Sequence, residues 1–154
     1  MKKFFVFILI TTIALTFGAS AYADRYEFKD FAVYGFAIDI PPDWNIAEND
    51  MDGSISITNP DDSSSITFIY AHREGWDAKR FADFTALNAE LEGSDPVKNE
   101  NGDFEFVVAD TEYRTRHLIN LGIVMKTETG RMNDLMEILD TLEYPIVIVM
   151  ENSI

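Results

Sequence analysis

The chain has 154 residues, with 12 basic and 27 acidic side chains, a net charge of -15 at neutral pH and no cysteine. That charge makes nucleic acid and anionic membrane surfaces poor partners, because the protein's own field repels them. The missing thiol excludes disulfides, thiolate metal sites, cysteine nucleophiles and a lipid-modified N-terminal cysteine.

Lys2 and Lys3, the uncharged apolar run from Phe4 to Phe17 and the small residues of Ala21-Tyr22-Ala23 form the three-part pattern of an export signal. Cleavage is expected between Ala23 and Asp24. Residues 1–23 therefore read as a signal peptide and residues 24–154 as one domain, free of the membrane once processed and placed in the periplasm or beyond. Losing Lys2 and Lys3 takes the net charge from -15 to -17. Such a surface favours solubility and is compatible with a basic partner or with cations.

Along the mature chain, Phe36, Ile38 and Ile40 alternate with Ala37 and Asp39, the period of a strand with one buried face. Pro41-Pro42-Asp43 ends it, and Trp44 is expected to cap the edge of a core. Ser54 to Thr58 alternates again, and Asn59-Pro60-Asp61-Asp62 predicts a turn before a second strand over Ser64 to Ala71, giving a hairpin. From Asp77, a potential N-cap, the period lengthens: Phe81, Phe84, Leu87 or Asn88, and Leu91 predict an amphipathic helix ending before Gly93. Asn101-Gly102 predicts a tight turn between Val97-Lys98 and a strand over Phe104 to Ala109, with Phe104, Phe106 and Val108 inward. A turn at Asp110-Thr111 leads into one β-rich segment from Tyr113 to Lys126, with Gly122 as a bulge or break. Met132, Leu135, Met136, Leu139 and Leu142 predict a second helix stopped by Pro145, and Ile146 to Met150 reads as a terminal strand. The expected class is α+β, an antiparallel sheet flanked by helices.

The phrase Gly35-Phe36-Ala37-Ile38-Asp39-Ile40-Pro41-Pro42-Asp43-Trp44 resembles the opening of PsbP-like and DcrB-like domains, and Asp134 to Leu142 resembles their closing helix. The resemblance covers most of residues 34 to 144. It implies an α/β/α sandwich, a fold shared with an extrinsic photosystem II subunit and a Ran-binding nuclear import factor. It also implies binding or assembly in place of catalysis, because these motifs build a core and a turn.

Three constellations carry possible chemistry. Glu48, Asp50 and Asp52 alternate before Gly53 as the oxygen ligands of a calcium loop do, but position twelve is Asn59 where a bidentate Glu belongs, and the flanks read as strands. A solvated acidic turn is the expected reading, with no metal and no cofactor. His72 and His117 lie on different predicted strands without metal-ligand spacing; His72, Asp77 and a serine of the 63 to 65 run suggest a triad, yet no nucleophile elbow supports one. Arg114 and Arg116 form the closest basic pair on a strand and, with His72, make a candidate surface for a carboxylate or phosphate. A two-residue turn at Asp110-Thr111 sets Arg116 opposite Glu105, which makes a cross-strand ion pair the default. The leading expectation is an exported, non-catalytic module that presents a sheet edge or acidic face to an envelope protein. A small-ligand or Ca²⁺ carrier comes second and a hydrolase third.

Overall fold

The computed structural model describes residues 23–32, 34–90 and 95–146. Most of the signal, the helix end at Leu91 and Gly93, and the strand expected beyond Ile146 fall outside the described residues. Within them the chain forms β1 (Asp24–Phe28), β2 (Phe36–Ile40), β3 (Asn45–Glu48), β4 (Ile55–Thr58), β5 (Ser64–Tyr70), α1 (Ala78–Asn88), β6 (Val97–Lys98), β7 (Phe104–Val108), β8 (Thr111–Leu118), β9 (Leu121–Thr127) and α2 (Met132–Leu139). Seven strands make one antiparallel sheet in the order β3-β4-β5-β9-β8-β7-β6, and β1 and β2 form a second, two-stranded sheet.

The β4–β5 hairpin matches its pattern, with Ile57 opposite Ile66 and Ile55 opposite Phe68. Its turn is closed by side chains: Asn59 Oδ1 accepts the Ser64 N–H at 3.0 Å, and Asp61 Oδ1 accepts the Ser63 hydroxyl at 2.6 Å. Ile66, Phe68, Leu121, Ile123 and Met125 turn to one face of the large sheet. There they meet Phe36, Ile38 and Ile40 of β2 and Leu135 and Leu139 of α2. Phe36 sits at the centre, stacked on Phe68 at 4.3 Å and on Phe28 at 4.7 Å. Trp44 packs half-buried against this core, as its place beside the proline turn predicts.

The opposite face is closed by α1. Asp77 caps the helix, accepting the Arg80 N–H at 2.8 Å. Phe81 lies against His117, with ring centroids 5.7 Å apart, and over Gly122, where a Cβ would collide with the Phe81 ring. His117 and Gly122 are cross-strand partners and alternate with core residues, so α1 and α2 cover opposite faces of the sheet. Gly122 is accordingly neither bulge nor break. It is a regular β9 position whose missing side chain makes room for the helix. That notch also sets the phase of α1: Phe81, Ala82, Thr85 and Ala86 are buried, whereas Phe84 and Leu87, expected inside, are 39% and 75% exposed.

Other expectations are corrected. Tyr113 to Lys126 is two strands folded on an Ile119-Asn120 turn, with Leu118 opposite Leu121. The preceding turn is Ala109-Asp110, one residue earlier than expected, so Val108 pairs with Thr111 and Glu105 lies opposite Arg114 instead of Arg116. Both turns carry a non-glycine residue at positive φ, Ala109 at 53° and Ile119 at 43°. Two strands, β1 and β3, stand where the sequence reading expects none; β1 alternates Arg25 and Glu27 with Tyr26 and Phe28, whereas β3 shows no such pattern. Helix α2 ends at Leu139, well before Pro145; Glu143 then bridges to Ala37, exchanging two backbone hydrogen bonds of 2.9 and 2.8 Å along the free side of β2.

Candidate binding surface

The residues singled out by chemistry are mostly committed to holding the fold. Arg116 donates from Nε and Nη2 to the two oxygens of Asp103, both at 2.8 Å, and Asp103 is 2% exposed. This bidentate pair raises the Arg116 pKa above its ordinary value, chiefly through the hydrogen bonds to Asp103. Asp103 stands at the end of a turn in which Asn99 Oδ1 accepts the N–H groups of Asn101 and Asp103. Arg114 pairs with Glu105, its cross-strand neighbour, at the mouth of an open groove of about 410 Å³ shared with Val97, Val107, Glu112 and Met132. Neither arginine is a free cation awaiting an anion.

The histidines come closer in space than their separation suggests, because β5 and the β8–β9 turn meet at one end of the sheet. His117 donates Nε2–H to the Ala71 carbonyl at 3.0 Å, and His72 Nδ1 donates to Asn120 Oδ1 at 2.7 Å. Ala71 in turn donates its N–H to the Asn120 carbonyl at 2.8 Å. Each ring thus ties β5 to the β8–β9 hairpin. The serine run lies at the other end of β5: Ser63 and Ser64 are occupied by Asp61, Asn59 and Thr127.

The acidic turn joins β3 to β4. Asp52 Oδ1 accepts the Ser54 N–H at 2.9 Å, which lowers its pKa below the usual 3.8, and Asn49 Oδ1 accepts the Met51 N–H at 2.9 Å. Asp61, in the β4–β5 turn at the other end of β4, has its pKa lowered by the hydroxyl and N–H of Ser63. Both carboxylates act as turn-closing acceptors. Among the described residues, no group of three His, Asp or Glu side chains stands where it could hold a metal ion, and no helix is long and apolar enough to cross a membrane.

What stands out is the side of the molecule built from β2 to β5. Between Lys29 and Arg73 the chain carries eight acidic residues, Asp30, Asp39, Asp43, Glu48, Asp50, Asp52, Asp61 and Asp62, and no lysine or arginine. Arg25 offsets Asp39 from β1, at 3.0 Å. β3 forms the outer strand here; it pairs with β4 on one side and with no described strand on the other, and all four of its residues are exposed. Just before it, Trp44, Asp39, Asp43, Arg131, Asp134 and Glu137 line a groove of about 320 Å³, in which Arg131 pairs with Asp134 at 2.8 Å. No protein-family model, curated protein or solved structure matches this chain. What the molecule can do is therefore set by this surface and by the side chains it leaves unoccupied.

The sequence led to the expectation of a sheet edge or acidic face but did not say which strand forms it. The residue types were in plain view, but each acidic residue is unremarkable in its own turn or strand. Only the strand order shows that β3, with Asp43, Glu48, Asp50 and Asp52 on and beside it, is the outer strand of the sheet.

Proposed function

We propose that the protein is an exported, non-catalytic binding or assembly module of the cell envelope, related in fold to PsbP-like domains, that recognises a protein partner through its acidic β3 side. The observation that carries this reading is the run of acidic residues on and beside the outer strand β3, Asp43, Glu48, Asp50 and Asp52, with no basic residue among them in the chain. A field of one sign raises the encounter rate with a basic partner and rejects acidic ones, which is what a recognition surface needs. The absence of a catalytic role rests on the commitment of His72, His117, Arg116 and Asp103 to partners within the fold. A small-ligand or cation carrier is the second reading, favoured by the groove beside Trp44, where Asp43 and Glu137 stand with the ion-paired Asp39 and Asp134.

Export is supported by the N-terminal pattern and by the start of β1 at Asp24, the residue that cleavage after Ala23 makes the first of the mature chain. The expected product is a chain that begins at Asp24 and is released without membrane extraction. Intact mass and cell fractionation check it; a protein that retains Lys2 and Lys3 in the membrane pellet contradicts it.

A further inference from the structure

We infer that β3 is a strand-addition site whose occupant is an extended, lysine- or arginine-bearing segment of a partner protein. The inference rests on the binding-module reading above and names the element and the partner's chemistry. Asn49 donates its N–H to Ser54 O at 2.8 Å, and peptide groups alternate in direction along a strand. The N–H and C=O groups of Asn45 and Ala47 therefore face β4, while those of Ile46 and Glu48 face outward. An outer strand of this kind is a template for another strand, and natural edges are usually blunted by lysine, proline or a bulge. β3, Asn-Ile-Ala-Glu, has none of these in its four residues.

Charge selects the occupant. Asp43 lies just before β3, Glu48 on it, and Asp50 and Asp52 follow, with no basic residue in this stretch of chain. A second copy pairing on the same edge brings like charges together, and an acidic or neutral strand gains nothing from the field. A basic strand gains backbone hydrogen bonds from Ile46 and Glu48 and places alternate cations near these carboxylates. The opposite edge differs: β6 is two residues long and carries Lys98.

The test uses the mature chain, isotope-labelled, titrated with a peptide of about nine residues alternating lysine and valine and with its glutamate-valine counterpart. The expected result is amide shifts centred on Asn45 to Glu48 with the lysine peptide and none there with the glutamate peptide. Ile46→Pro removes an outward N–H that the β3–β4 ladder does not use, so it is expected to keep the melting temperature while weakening binding about tenfold or more. Ile46→Thr, which keeps that N–H, retains binding. Four results overturn the inference: lysine-peptide shifts elsewhere on the molecule, binding indifferent to Ile46→Pro, equal binding of the glutamate peptide, or a dimer abolished by Ile46→Pro. Binding indifferent to Ile46→Pro leaves the acidic β3-side reading standing, whereas lysine-peptide shifts elsewhere, or a lysine peptide that binds nowhere, remove both.

Discussion

Phe36→Ala is expected to leave little folded protein. The Phe36 ring is fully buried and joins the two sheets, stacking on Phe68 from the large sheet and on Phe28 from its own, with Phe31 edge-on at 5.4 Å. Removing a buried aromatic ring costs about 3 to 5 kcal/mol, against about 5 to 15 kcal/mol for the whole stability of an ordinary domain. The small sheet is exposed along β1 and depends on this contact and on the Ala37–Glu143 bridge. The expected measurement is a melting temperature lowered by well over ten degrees, with soluble yield falling in parallel. A variant that melts near the parent would mean that the small sheet is held by something other than this aromatic stack.

Arg116→Ala is expected to be nearly as severe, although an arginine on a sheet surface ordinarily contributes little. Its partner decides the matter. Asp103 is 2% exposed, and without the guanidinium its carboxylate is left buried with no counter-charge. Breaking a buried pair from one side costs about 3 to 5 kcal/mol, and the partial exposure of Arg116 places this case toward the lower end of that range. Arg116→Ala combined with Asp103→Ala should therefore melt higher than Arg116→Ala alone. By contrast, Arg114→Ala breaks a pair whose Glu105 partner is 42% exposed, and is expected to cost about 1 kcal/mol or less. Chemical denaturation of the three variants checks the ordering; equal losses for Arg114→Ala and Arg116→Ala contradict it.

The difference between these two arginines was not legible in the sequence, and the reason is a turn. Aspartate favours turns, which suggested Asp110-Thr111, but the chain reverses at Ala109-Asp110 with Ala109 in the left-handed region. Moving the turn by one residue changes the sum of paired positions by two, so every face is kept while every partner changes. The buried faces of β4, β5, β7 and α2 were therefore readable from alternation and period, whereas the partner of each arginine was not. Similarly, the reversal at Ile119-Asn120 was hidden because isoleucine at positive φ is a poor turn signal. The N-cap at Asp77 was legible because it is local: the side chain reaches the Arg80 N–H three residues on.

The strands that escaped notice, β1 and β3, share one property. β3 buries no residue and β1 only half-buries Phe28, so neither shows the buried face that marks β4 or β5; each exists because it pairs with a neighbour. In β3 that same exposure makes the strand available to a partner. The acidic composition was visible at once, but its meaning depends on topology, since β3, with Asp43, Glu48, Asp50 and Asp52 on and beside it, forms one edge of the sheet while Arg114, Arg116 and Lys98 lie toward the other. The calcium-loop resemblance of Glu48, Asp50 and Asp52 is resolved locally. Asp52 closes the β3–β4 turn on Ser54, and the carboxylates contribute their charge to the edge.

The account's central claim, that the β3 side is the recognition surface, is tested most directly by neutralising it in place. The mature chain and a variant carrying Asp43→Asn, Glu48→Gln, Asp50→Asn and Asp52→Asn are immobilised, and each is exposed to the native envelope extract at rising salt. Exposed charges of this kind contribute little to stability, so both proteins should melt alike. The account predicts that the parent retains a defined basic protein at low salt, releases it as ionic strength rises, and loses it altogether in the neutral variant. Equal retention by the two proteins, or retention indifferent to salt, would contradict it.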